Sequence, residues 1–212
     1  MNSAFGASAL GRTGPTVVPM TTMVRPRVGV AAARDLAESL LTDLPLRWAH
    51  TAGVARRAAE LCATMDAADR DRVVTAAWLH DIGYAEPVID TGFHPLDGAR
   101  FLRRSGWTAR ISALVAHHSG ACYVAEVRGL HHELAEFPRE LSPVADALTY
   151  ADQTIGPDGT RVDVRARMAE MLARHGATSD NARVHHLRAP DILAAAERVE
   201  HRLRGAEQFT TA

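Results

Sequence analysis

Lysine is absent from this chain of 212 residues, so all 24 of its basic side chains are arginine. The absence excludes lysine Schiff-base chemistry and lysine contacts to phosphate, and it leaves planar guanidinium groups as the only permanent cations. With so much alanine beside it, the bias reads as genomic composition rather than a functional demand. Cysteine is scarce too. Cys62 and Cys122 are too few and too far apart for a disulfide framework or a zinc ribbon, and Cys62 falls on an apolar helical face, which suits a reducing cytoplasm. No apolar run approaches the roughly 18 residues of a membrane span, and the N-terminus lacks a charged start followed by a compact apolar core. A soluble, unexported, cytoplasmic protein is expected. The formal net charge of −1 supplies neither a basic field for general nucleic-acid binding nor an acidic tail for a basic partner.

The length fits one domain, with enough chain to bury a core without staples, so folding alone does not demand a metal. Residues 1–30 are rich in Gly, Ser, Thr and Pro and read as a leader that cannot bury a core, with Met20 or Met23 as alternative starts. From Ala31 the pattern turns helical: Leu36, Leu40, Leu41 and Leu44 recur at three- and four-residue intervals until Pro45. Further helices are predicted over about 46–65, 68–81, 94–105, 108–118, 142–154, 163–175 and 190–204 from the same periodicity. Gly83, Gly106, Gly120 and the turn Gly156-Pro157-Asp158-Gly159 punctuate them. There is no internal repeat and no alternating strand pattern. The fold expected is all-α, a single-domain helical bundle with a buried polar centre.

The polar centre is visible as a set of histidines and aspartates at inward or terminal helix positions. His50 shares a face with Val54, Ala58 and Leu61, while Arg56, Arg57 and Glu60 point elsewhere. His80-Asp81 ends an apolar helix inside Leu79-His80-Asp81-Ile82-Gly83, and burying such a pair is costly unless it is hydrogen-bonded, ion-paired or metal-bound. His94-Pro95 opens a helix, His117-His118 closes one, and Asp152 lies near the end of another. Imidazoles and carboxylates from different helices suit a divalent ion such as iron, manganese, zinc or magnesium. A water on such an ion has its pKa lowered towards about 7 and becomes a nucleophile at neutral pH.

In this order the residues His50…His80-Asp81…Asp152 resemble the H…HD…D pattern of the HD-domain metal-dependent phosphohydrolases, and Leu-His-Asp-Ile-Gly matches that family's commonest local form. The resemblance covers about residues 36 to 155 and implies a metal-binding helical domain, taken as 31–155. Helices over 156–205 would pack on it, and 206–212 would be a tail. It implies His50, His80, Asp81 and Asp152 as metal ligands, with His80 and Asp81 catalytic. Some HD families add histidines for a second metal. The segment Gly92–Ala99 looks like their third-histidine region, making His94 a ligand, and His117 or His118 would be the next, His117 being preferred on resemblance. Asp81 would then bridge a dinuclear centre. Tyr84 stands where many members have lysine, and no Gly-Tyr-Pro follows His117-His118, which argues against the HD-GYP cyclic-dinucleotide phosphodiesterases. The acidic pair of the guanosine-tetraphosphate hydrolases is not reproduced by Tyr84-Ala85-Glu86.

Several residues admit plainer readings. His118 could contact substrate or solvent. Arg47, one turn before His50, could hold a substrate phosphate or form a surface ion pair. Asp146, a rival to Asp152, is read as an inter-helix partner. Asp97 and Asp158 are read as helix-start or turn residues, His131-His132 and His185-His186 as solvated loop or helix ends, and the C-terminal arginines as solvated faces. The function expected is hydrolysis of a small phosphoester or nucleotide. The alternatives are a di-iron oxygenase on the same scaffold and a non-catalytic metal or nucleotide sensor.

Overall fold

The computed structural model describes residues 29–210, so the leader 1–30 and its alternative starts Met20 and Met23 lie almost wholly outside the described residues. Within them the chain is helical, and no strand is present. The helices are α1 (Val30–Leu41), α2 (Pro45–Glu60), α3 (Ala67–Leu79), α4 (His94–Arg104), α5 (Ala109–His117), α6 (Ala121–Val127), α7 (His131–Leu134), α8 (Pro143–Gln153), α9 (Val164–His175) and α10 (Asp180–Thr210). Their starts follow local chemistry. Pro45 and Pro143 occupy first-turn positions, where a missing N–H costs nothing. Thr108, Ser142 and Asp163 cap α5, α8 and α9 by accepting from backbone N–H groups of the first turn.

With few aromatic residues to fill space, the core relies on alanine, leucine and valine, which lets the helices approach closely. One apolar cluster joins α1, α2, α3, α8 and α10 through residues such as Leu41, Val54, Leu79, Leu148 and Ile192. A smaller one lies under α4 to α7, around Leu96, Ala116 and Leu134. α4 packs on α5, α2 on α3, and α10 on α8. Gly83 fixes the link between the halves: a β-carbon there would run into the backbone of His94, so only glycine lets the turn after α3 touch the start of α4.

Two stretches depart from the expected helices. The irregular region after Gly120 forms the short helices α6 and α7. The last helix starts at Asp180, ten residues before Pro190, and runs through Thr210, into the segment expected to be a tail. Pro190 therefore sits inside a helix rather than opening one. It and His186, whose carbonyl it leaves without a helical donor, both face outward. His185 and His186 lie mid-helix, not at an end.

Candidate metal centre

The site forms where helix ends converge. His80 is the residue that closes α3, with Asp81 just beyond it, His118 follows the last residue of α5, and Asp152 is next to last in α8. Three helix C-termini, each with a partial negative charge, thus face one place, a field that favours a cation. His94 comes from the first position of α4 and His50 from the first half of α2.

Two groups of three potential ligands result: His50, His80 and Asp152, and beside them Asp81, His94 and His118. Nε2 of His50 is 3.0 Å from Asp152 Oδ1, and Nε2 of His80 is 3.9 Å from the same oxygen. Asp81 lies between the groups. Its Oδ2 is 3.4 Å from His80 Nε2 and 3.8 Å from His50 Nε2, whereas its Oδ1 is 3.3 Å from His94 Nε2 and 3.9 Å from His118 Nε2. The Nε2 atoms of His94 and His118 are 3.3 Å apart.

The rings are fixed from behind. Nδ1 of His50 donates to Gly156 O (3.1 Å), Nδ1 of His80 to Ala77 O (2.8 Å) and Nδ1 of His118 to Val115 O (2.7 Å). A neutral imidazole that donates from Nδ1 carries its lone pair on Nε2, so three lone pairs point into the cluster in the tautomer a metal needs. Nε2 of His80 is buried and makes no hydrogen bond. Such an orphaned acceptor is what a metal ligand looks like without its ion. Asp152 Oδ2 is engaged by Ser119 Oγ and by Gln153 Nε2 (2.9 Å), leaving Oδ1 for the cluster.

The charges agree with this geometry. Burial would raise the Asp81 carboxyl, but Arg47 and His80 outweigh it and hold Asp81 well below the usual carboxylate range. Asp152 is likewise held down against burial by the His50 hydrogen bond and by His80. Burial pushes His94 well below and His118 below the ordinary imidazole value, so both stay neutral. His80 moves the other way: burial opposes its charge, yet Asp81 and Asp152 prevail and raise it. Two ionised carboxylates here demand a positive charge, and the residues present fit a divalent ion or a pair of them.

His117 does not join the cluster. Its Nε2 meets the carbonyl of Phe137 at 2.7 Å, and its ring lines a separate cleft with Arg139 and Asp146. The preference for His117 over His118 is therefore reversed by the geometry: His118 continues the buried stripe of Ile111, Leu114 and Val115, while His117 sits off it. Arg47 pairs with Asp81 at 2.5 Å and lies over the Tyr84 ring, which stacks on His94 with ring centres 4.0 Å apart. Tyr84, its hydroxyl pushed up to about 12 chiefly by burial, remains a phenol. Asp97, in the first turn of α4, accepts from Thr91 and Gly92 of the preceding loop. Asp146 pairs with Arg198 and Arg202 between α8 and α10.

A cavity of about 280 Å3 opens over the cluster, walled by Arg47, Tyr84 and Arg128 on one side and by Arg167, Arg174 and Arg188 of α9 and α10 on the other. Ser119, Gln153, Arg167 and Arg188 were not singled out from the sequence. A signal existed for two of them. Arg188 falls in step with buried Val184, Ile192, Ala195 and Val199, and Arg167 with Val164, Met168 and Met171.

A family model described as HD domain matches residues 47–155. No curated protein and no solved structure matches the chain. The matched segment contains both ligand groups and Arg47, and stops before α9 and α10. No helix among the described residues is long and apolar enough to cross a membrane. A match over more than half of the chain, with buried His/Asp groups at the family's pattern positions, makes this chain a member of the HD-domain family, which is typically one of metal-dependent hydrolases.

Proposed function

We propose that this protein is a metal-dependent phosphohydrolase acting on a small phosphoester or nucleotide, and that His50, His80, Asp152, Asp81, His94 and His118 hold two divalent ions with Asp81 between them. The observation that carries the reading is Asp81 itself, with one oxygen facing each histidine pair. Bound divalent ions would supply acidified water and take up charge on phosphoryl oxygens.

The chain's own residues do the rest. Arg47 is held by Asp81 and by the face of Tyr84, so its planar donor fork is already ordered at the rim and can take a phosphoryl oxygen without paying further rotamer entropy. The proton lost by the attacking water can pass through Asp81 or a neighbouring imidazole. The Ser119 hydroxyl in the cavity wall donates to Asp152, but that carboxylate is one of the ligand groups and is held well below the usual carboxylate range, which makes it a poor base and favours direct attack by water.

A second reading has one observation of its own. Four imidazoles with two carboxylates also suit redox-active iron and oxygen chemistry. The five arginines lining the cavity favour the phosphoester. Metal analysis of protein purified without added metal, followed by a panel of phosphoesters and nucleotides assayed with and without oxygen, separates the two. Phosphate release that is indifferent to oxygen supports hydrolysis. Oxygen consumption without phosphate release overturns it.

A further inference from the structure

Beyond the family-matched segment, α9 and α10 bring two arginines into the cavity with unused hydrogen-bonding capacity. Arg188 is only 7% exposed. Its Nε donates to Ser119 O at 2.7 Å, and its Nη1 reaches Met171 Sδ at 3.2 Å and Asn181 Oδ1 at 3.4 Å. None of these is a carboxylate, and Nη2 has no protein partner among the described residues. The strongest opposite charge acting on it, Asp152, makes no hydrogen bond to it, and a buried cation with no directly paired carboxylate is costly, so its retention favours an anion beside it. Arg167, also 7% exposed, pairs with Glu170 but leaves its Nε buried without a partner. Gln153, 4% exposed, donates to Asp152 and leaves Oε1 without one. All three residues line the same cavity.

The placement of Arg188 sets it apart from the reacting centre. Ser119 stands between them, its hydroxyl donating to Asp152 and its carbonyl accepting from Arg188. Gly120, at φ 70°, completes the turn, and a β-carbon there would lie 3.0 Å from the Arg188 stem. Arg47 already occupies the edge of the metal centre through Asp81. Arg188 is thus held from α10 through the Ser119 carbonyl, whereas Arg47 is held from α2 through Asp81, so the two guanidinium groups enter the same cavity from different elements. At about 280 Å3 the cavity is at or below the small end of ligand pockets, roughly 300 Å3 upward, and suits a small molecule rather than a polymer.

Resting on the reading of the centre as one that handles phosphoryl groups, we propose that Arg188, helped by Arg167 and Arg174, binds a second anionic group of the substrate. The substrate is then a small phosphoester that also carries a carboxylate or a second phosphate, and Gln153 Oε1 accepts from a hydroxyl or amine on it.

Calorimetry on the metal-loaded protein tests this without turnover, using propylphosphonate as the one-anion probe and 3-phosphonopropionate and propane-1,3-bisphosphonate as two-anion probes. The wild type should bind at least one two-anion probe tenfold or more tightly than propylphosphonate. Arg188→Gln should lose that advantage while its affinity for propylphosphonate changes less than twofold. Arg188→Met keeps the stem packed and should behave alike, and Arg174→Ala, on the exposed lip, should weaken the favoured probe two- to threefold. No advantage in the wild type, an advantage that survives both Arg188 variants, or equal loss for all three probes overturns the proposal. If the Arg188 variants fail to fold, an unchanged preference in Arg174→Ala overturns it. Discrimination by Arg188 in a protein that hydrolyses no phosphoester would instead refute the hydrolase reading alone.

Discussion

Asp81 lies between the two groups of candidate ligands, so its replacement tests the proposed two-ion centre and not only the loss of one side chain. Asp81→Asn keeps the volume but removes the charge that faces His80 through one oxygen and His94 through the other. Turnover should fall at least ~100-fold, beyond what loss of an outer-shell partner costs, together with bound metal measured on the same preparation. Arg47→Ala should leave metal content nearly unchanged. It removes a charged hydrogen bond of about 1.5–3 kcal/mol, so KM should rise roughly ten- to hundredfold, measured with a hydrolysed phosphoester. At this scale much of the site was legible. His50, His80, Asp81, His94 and Asp152 stand together as their order suggested, because each sits where an apolar helix stripe or a helix end must face inward. The choice between His117 and His118 was readable from periodicity, since 111, 114, 115 and 118 share one stripe, but resemblance pointed to the other residue.

Helices hold those residues at their ends, so helix starts and helix pairings carry into the site. Ser142 caps α8, the helix that presents Asp152, by accepting from Ala145 N at 3.2 Å. Ser142→Ala should cost about 1 kcal/mol in denaturant unfolding, with the metal ligands untouched. Arg110 of α5 ties Glu140 and Asp69 together at 2.8 and 2.7 Å. Its hydrogen bond lowers the Asp69 pKa, and together with Ser142 it lowers Glu140 against the opposing effect of burial. Folded values below the unfolded ones mean that this contribution is present above the unfolded values, about 4, and is lost as pH falls through the folded ones. Arg110→Ala should therefore destabilise the protein by up to ~1 kcal/mol at pH 7, a difference that shrinks as thermal unfolding is repeated below about pH 4. The element that escaped the sequence is the first third of α10. The periodicity placed the last helix over about 190–204, which put Arg188 outside it and hid its place on the buried stripe.

For the whole molecule, the all-α architecture followed from periodicity, but the burial of α9 and α10 against the site did not. Which surface a C-terminal helix covers depends on contacts across the chain, and no local spacing records that α10 lies on α8 and α6. The consequence is a bundle whose core is partly ionic, with two carboxylates and four imidazoles at its centre. Ions held at such a centre would couple metal binding to folding. Saturation at about 100 times Kd stabilises by about 2.7 kcal/mol per site, so stripping two ions should lower Tm by roughly 10–20 °C, read by differential scanning calorimetry on loaded and stripped protein. The central claim, a two-ion centre joined by Asp81, is tested most directly by the metal content per chain of protein purified without added metal and assayed for phosphoester turnover as metal is withdrawn. Two divalent ions per chain, with turnover lost as the content falls below two, is the predicted result. Full turnover in chains that hold one ion or none would contradict it.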